Sequence, residues 1–218
     1  MSIPKFDTQY FDFEQGTEEW FDVRKGIITA SSVKSLTAAA TKKYPNGLGA
    51  GARTIAKMVA YEKVTNFETE LINSYYIDRG NELEPVARKI YNKKNGVRVK
   101  EVGFALVKEF SFGVSPDGLV KADGMTEYKC PKYNTHMDTL ERQGADPEYI
   151  PQMQMQMLAT GRKWCDFVSY CENDKFPENL RHLTFRVEAD LEYQEFLFNR
   201  IMEFQLMVDY WTKMLLKK

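Results

Sequence analysis

The sequence predicts an α+β protein in which a mixed central β-sheet is flanked by helices and the chain closes on one long C-terminal helix. Three observations lead there. Helix-like segments account for the periodic stretches of the first 95 residues; after Gly96 the apolar period shortens to that of strands; and from about Asp190 apolar residues recur at steps of three and four. Helices, then strands, one helix, two strands and a last helix is the order of an α+β architecture.

The stretch "GIITASSVKSLTAAA" reads as a helix capped near Thr29 or Ser31. Residues 41 to 51, "TKKYPNGLGAG", break any period with Pro45, Asn46 and three glycines, and read as a loose connection. Residues 52–65 read as a second helix and residues 79–95 as a third, ended by Asn95-Gly96. "VRVKEVGFALV", "FSFGVSPDGLV" and "MTEYKCP" are short, rich in β-branched and aromatic residues and separated by turn signals, so they read as an antiparallel meander. Residues 147–160, "PEYIPQMQMQMLAT", read as a helix, although strict Gln/Met alternation also suits a strand. "WCDFVSYCE" and "RHLTFRVEA" add two strands. In the last helix Leu197, Ile201, Phe204, Val208, Trp211 and Leu215 share one face, the pattern of core packing.

A chain of 218 residues suits one domain and buries roughly 70% of its unfolded surface without a staple. It is 43% hydrophobic and 28% charged, an ordinary globular balance. No apolar run approaches the ~18 residues of a membrane span, and "MSIPKFDTQYFDFEQG" lacks the basic-then-apolar layout of a signal peptide. Three cysteines with no CxxC point to reduced thiols in a cytosol. A net charge of -1 argues against broad coating of nucleic acid and leaves room for a localised basic groove. His136 and His182 are too few and too scattered for a zinc site, and Cys130 is read as strand packing with no His partner, so all three read as structural.

The chemistry concentrates in "FGVSPDGLVKADGMTEYKCPK", residues 112 to 132. Asp117 leaves one strand at "SPDG", and Glu127 and Lys129 lie on the next. Two residues apart on a strand, they share a face, with Tyr128 pointing the other way. If the strands pair across "VKADGM", Asp117 comes alongside Glu127. Close carboxylates cannot both stay ionised unaided, and a hard cation such as Mg²⁺, bound by one or two carboxylates and keeping waters, is the natural remedy. Lys129 would hold or deprotonate a metal-bound water, and the Tyr128 backbone carbonyl would complete the shell. That is a layout for metal-assisted phosphodiester hydrolysis, a reaction demanding barrier reductions of up to about 20 kcal/mol, where one general base supplies about 10²- to 10⁴-fold. S-P-D-G alone is a common turn, but Glu127-Tyr128-Lys129 is the single [DE]-x-K of the sequence and falls a hairpin's distance after it.

P-D, a gap, then E-x-K resembles the PD-(D/E)xK nuclease superfamily. The wider context, "EEWFDVRKGIITASSV", "RGNELEPVARKIY", "GVSPDGLV", "TEYKCP" and "PQMQMQMLATGRK", is similar in content and order to the YqaJ-type viral recombinases, the bacteriophage lambda exonuclease family. The resemblance implies a restriction-endonuclease-like core and a single nuclease domain over residues 1–218. It implies a Mg²⁺-dependent 5′→3′ exonuclease of phage or prophage origin that degrades one strand of linear duplex DNA and leaves a 3′ single-stranded tail for recombination. Two Mg²⁺ ions are implied, with Mn²⁺ able to substitute. On this reading Asp117 and Glu127 are metal ligands, Lys129 activates water, and Glu84 serves the second ion; without the resemblance Glu84 is a solvated helix carboxylate and Glu82 its rival. Arg24, Ser31 and Ser115 would hold the 5′-phosphate, the first two within Trp20-x-x-x-Arg24-x-Gly26-x-Ile28-Thr29-Ala30-Ser31; the chemistry fits, because Arg offers a donor fork and a hydroxyl at a helix start adds another. Gln152 and Gln154 would bond the catalytic carboxylates or water, Gln154 being the better match in register. Ile77 sits where the family places an apolar wedge that parts the duplex end, and otherwise reads as core.

The partners implied are double-stranded DNA ends, a single-strand annealing protein and two further copies in a homotrimeric ring, in the host bacterial cytoplasm and with no membrane. One departure stands out: Thr135 occupies the place of a second basic phosphate contact, for which Lys132 is the nearby substitute. The alternatives are a restriction- or RecB-like nuclease of other end specificity, and a non-catalytic DNA-binding module of the same fold.

Overall fold

Strands and helices follow one another largely as their periods require, but the strands sort into two sheets rather than one. The computed structural model describes residues 3–38, 47–67 and 75–217, with the side chains of 75–81 excepted. After β1 (Thr8–Phe11) come α1 (Glu18–Arg24), β2 (Ile28–Thr29), α2 (Val33–Thr37), α3 (Ala50–Thr65) and α4 (Tyr75–Asn95). β3 (Phe104–Val107), β4 (Phe112–Val114), β5 (Gly118–Val120) and β6 (Gly124–Lys129) follow, then α5 (Tyr133–Arg142), α6 (Ile150–Thr160), β7 (Trp164–Tyr170), β8 (His182–Glu188) and α7 (Leu191–Leu216).

The first sheet has the order β1-β3-β4-β2 and the second β5-β6-β7-β8. Each is mixed: β2 runs parallel to β4, and β6 parallel to β7 across the long α5–α6 crossover that parallel neighbours require. The apolar stretch expected as one strand, residues 110–120, is therefore two. Ser115-Pro116-Asp117 interrupts it, because Pro has no N–H to give a ladder, and the chain passes there from one sheet to the other. Only β5 and β6 form the expected hairpin beside the site.

Other boundaries move for local reasons. "GIITASS" is not one helix: Ile28 and Thr29 pair with Phe112 and Gly113, a 3₁₀ turn covers Ala30–Ser32, and neither Thr29 nor Ser31 caps α2 through its side chain. Ala50 and Gly51 belong to α3, and α4 starts at Tyr75, before the expected position; residues 41–46 of the expected loose connection lie outside the described residues. The last helix begins where expected, with Asp190 accepting from Tyr193 N at 3.0 Å. Its stripe is buried from Leu197 to Val208, half-buried at Trp211 and exposed at Leu215, since the core ends before the helix does.

The core has three parts, and α6 belongs to two. Met155, Leu158 and Ala159 pack with α2, α3, α7 and the first sheet, while Met153 and Met157 pack on Leu119, Met125, Cys165 and Phe167 of the second. The Gln/Met alternation is thus neither strand nor stripe: at 3.6 residues per turn successive methionines serve opposite sides of a buried helix. On its far face the second sheet packs Tyr128, Val168 and Tyr170 against Leu83, Ala87 and Tyr91 of α4.

His136 is structural, its ring nitrogens paired with Ser169 Oγ at 2.7 Å and Leu180 O at 2.8 Å, and His182 bonds Ala87 O at 3.1 Å. The three cysteines form no disulfide. Among the described residues no helix is long and apolar enough to cross a membrane.

Candidate active site

The site forms where β4 gives way to β5. Gly118 pairs with Thr126, so one step further along the hairpin Asp117 stands opposite Glu127. Asp117 Oδ2 accepts from Tyr128 N at 2.7 Å. The N–H and C=O of one strand residue point to the same side, so the Tyr128 carbonyl also faces the gap beyond the end of β5. β6 alternates as expected: Tyr128 enters the core against α4, and Glu127 and Lys129 face α6.

Glu127 is fully buried. Its Oε1 receives Lys129 Nζ at 2.7 Å and Gln152 Nε2 at 2.7 Å, and its Oε2 receives Gln156 Nε2 at 2.9 Å. Lys129 Nζ also lies 4.5 Å from the Tyr149 ring centroid. Glu84 projects from α4, ion-paired to Arg88, which pairs as well with Glu101 at 2.6 Å. A cleft of about 580 Å³ opens beside Glu84 and Asp117, walled by α4 and by residues 12–15 and 100–103. Gly103 permits that wall, because a Cβ there would come within 1.9 Å of the Phe13 carbonyl oxygen.

These charges strain one another. Burial first, then Glu127 and Glu84, push the Asp117 carboxyl well above the ordinary aspartate range. Burial likewise raises Glu84, with Arg88 opposing it and Glu127 adding to it. Burial works against the Lys129 ammonium, but Glu127 and Asp117 outweigh it and hold the lysine above its usual value. No ion pair reaches Asp117 among the described residues, so its charge is the least compensated.

Hard oxygen donors with too little positive charge are the chemistry that a divalent cation resolves. Asp117, Glu84, Glu127 and the Tyr128 carbonyl suit Mg²⁺ in donor type and charge. Among the described residues no three acidic, His or Cys side chains already meet in metal-ligating geometry, since Glu127 is held by Lys129 and two glutamines and Glu84 by Arg88. An ion would have to take over part of those contacts.

A second constellation adjoins the first. The Arg24 guanidinium carbon lies over Trp20, 3.7 Å from the ring centroid, and 5.8 Å from that of Phe104. Arg24 Nη1 and Trp20 Nε1 both donate to Ser115 Oγ, at 3.2 and 3.1 Å, and the indole also donates to Gly103 O at 2.9 Å. Burial brings the Arg24 guanidinium down to about 10, so it stays charged at neutral pH. These contacts fix the guanidinium on Ser115, two residues before Asp117.

Of the residues singled out from the sequence, Asp117, Glu127, Lys129, Glu84, Gln152, Arg24 and Ser115 gather here. Gln154 does not. Its Nε2 donates to Glu188 O and its Oε1 accepts from Asp190 N and Gln194 Nε2, because two helical positions turn a side chain about 200° from Gln152. The second glutamine on Glu127 is Gln156, one turn after Gln152; the i, i+4 spacing was the available signal. Trp20, likewise one turn before Arg24, is a further contributor. Ser31 is exposed, its hydroxyl bonding Thr29 Oγ1 at 3.0 Å, with no bond to Arg24 or Ser115 among the described residues. Ile77 falls within α4, and its side chain lies outside the described residues. Thr135 is exposed on the first turn of α5.

Residues 19–163 match the family model of the YqaJ-like viral recombinase domain. Among solved structures the chain is similar to the alkaline exonuclease LHK-Exo of Laribacter hongkongensis, with 36% identity, a TM-score of 0.79 and 91% of this chain aligned to 96% of that one. LHK-Exo in complex with dAMP matches at 34% identity and a TM-score of 0.77, over the same shares. A phage-related exonuclease of Haemophilus somnus 129PT shares the fold, with 19% identity, a TM-score of 0.65 and 87% of this chain aligned to 94% of that one. No curated protein matches the chain in sequence.

Proposed function

Because the chain belongs to the YqaJ-like viral recombinase family, we propose that it is a Mg²⁺-dependent exonuclease that degrades one strand of linear duplex DNA in the 5′→3′ direction. It leaves a 3′ single-stranded tail. The observation that carries the reading is Glu127, fully buried, with Lys129 on one oxygen and Asp117 opposite it across the hairpin. A buried carboxylate pair beside a lysine is costly as structure alone and suits hydrolysis of a phosphodiester. The exonuclease relatives support the reaction class.

Asp117, Glu127, Glu84 and the Tyr128 carbonyl would hold Mg²⁺, two ions being expected and Mn²⁺ an acceptable substitute. When bound, the metal lowers the pKa of a coordinated water and neutralises charge on the phosphoryl oxygens. Gln152 and Gln156 hold the Glu127 carboxylate, one at each oxygen. Lys129, held over the Tyr149 ring, would orient the attacking water; its partly exposed ammonium would first give its own proton to solvent and could then take one from that water. Arg24, with Ser115 and Trp20, takes the terminal 5′-phosphate through its donor fork. The proposal includes a homotrimer around the duplex, which sedimentation checks, and a single-strand annealing protein that receives the tail.

Digestion of matched linear duplexes with 5′-phosphate or 5′-hydroxyl ends, beside a closed circle, tests the whole. Loss of linear DNA in Mg²⁺, none in EDTA, and spared circles are the expected results. Cutting of the circle would refute the exonuclease and keep only the fold. Arg24→Ala is expected to lower kcat/KM on phosphorylated ends about 10- to 100-fold, with much less effect on hydroxyl ends. An equal fall on both would remove Arg24 from phosphate recognition.

A further inference from the structure

Gln156 stands between the two constellations and touches both. It is fully buried on α6. Its Nε2 donates to Glu127 Oε2 at 2.9 Å and to the backbone carbonyl of Ser115 at 3.4 Å. Ser115 in turn receives Arg24 and Trp20 at its hydroxyl. An unbroken line of polar contacts thus runs from Arg24 through Ser115 and Gln156 to the Glu127 carboxylate.

The residue is costly where it sits. Gln156 Oε1 is buried and has no hydrogen-bond partner among the described residues. A buried carbonyl left unpaired destabilises the fold, and the neighbouring Met153, Met155 and Met157 show how an apolar side chain fills this helix without that cost. The cost is offset by what Nε2 holds.

We propose that Gln156 couples binding of a terminal phosphate at the Arg24–Ser115 pair to the position of Glu127, so that a phosphorylated 5′ end raises the rate of hydrolysis as well as affinity. The inference rests on the nuclease reading above. A phosphate binding there draws the Arg24 guanidinium and the Ser115 hydroxyl toward itself. Residue 115 moves with its hydroxyl, and its carbonyl carries the shift to Gln156 Nε2 and so to Glu127 Oε2. Gln152 still grips Oε1, so the carboxylate rotates rather than leaves. Small misplacements of a catalytic group cost large factors in rate, which makes Gln156 a positioning residue for Glu127.

Kinetics on duplexes with 5′-phosphate or 5′-hydroxyl ends separate the possibilities. In the wild type the phosphate is expected to raise kcat about tenfold and to lower KM. In Gln156→Met, which preserves volume, kcat on the two ends should converge to within about twofold, while the KM preference set by Arg24 and Ser115 survives. A fall in kcat by the same factor on both ends would make Gln156 merely structural and overturn the proposal, as would an unchanged phosphate dependence. If Gln156→Met fails to fold, Gln156→Asn, one methylene shorter, is read by the same criteria. A wild type with equal kcat on both ends overturns the coupling and leaves the nuclease reading standing. No hydrolysis of either duplex in Mg²⁺ or Mn²⁺ removes both.

Discussion

Lys129→Ala is expected to lower the rate of DNA hydrolysis by about 10²- to 10⁴-fold, the range for loss of a positioned general base, while duplex binding and folding survive. Lys129 Nζ donates to the same Glu127 oxygen as Gln152. Removing it leaves the carboxylate held at both oxygens by Gln152 and Gln156, so the ligand set stays in place and the proton chemistry is lost. Divalent-ion affinity should hold or rise, because an ion no longer competes with an ammonium for Glu127. Rates under single turnover, with Mn²⁺ titration beside them, check both halves. Normal digestion by the variant would place the general base elsewhere.

Asp117→Asn is expected to abolish hydrolysis to a comparable extent and yet to stabilise the metal-free protein. The Asp117 carboxyl is raised above its ordinary range by burial, Glu127 and Glu84. A group raised on folding contributes fully below its unfolded value of about 3.9 and loses that contribution as pH climbs through the folded value. At pH 8 without metal, Asp117 therefore works against the fold. Asparagine removes the charge and still offers an oxygen to Tyr128 N. Its Tm in EDTA should exceed the wild type's by several degrees at pH 8, at roughly 2–4 °C per kcal/mol for a chain of this size, and by little near pH 4. Saturating Mg²⁺ should raise the wild-type Tm and leave the variant's largely unchanged. A variant less stable than wild type at pH 8 would mean that Asp117 is already compensated in the free protein.

Both predictions join residues that sequence reasoning brought together. Asp117, Glu127 and Lys129 were legible because a strand's period of two and a short hairpin are local properties, and thirteen residues suffice to set that geometry. The resemblance added Glu84, Arg24 and Ser115, whose approach depends on elements far apart in the chain. Gln154 was the wrong partner, because alternation in the letters hides the helical period that puts Gln152 and Gln156 on one face. Ser31 was placed by its neighbours in the motif, but its hydroxyl turns to Thr29.

By itself the sequence determined the class of the fold, most of its elements and the hairpin that carries the acidic pair, because propensity, period and turn chemistry act over a few residues. It also determined the long last helix, whose stripe and Asp190 cap are local signals. Only the tertiary structure decided that one apolar stretch feeds two sheets. It decided too that α6 lies buried between them and that its amide at Gln156 reaches both Glu127 and Ser115. The two contacts of Gln156 join positions 29 and 41 residues apart in the chain. Burial and pairing energies choose among such contacts only once the whole core has formed.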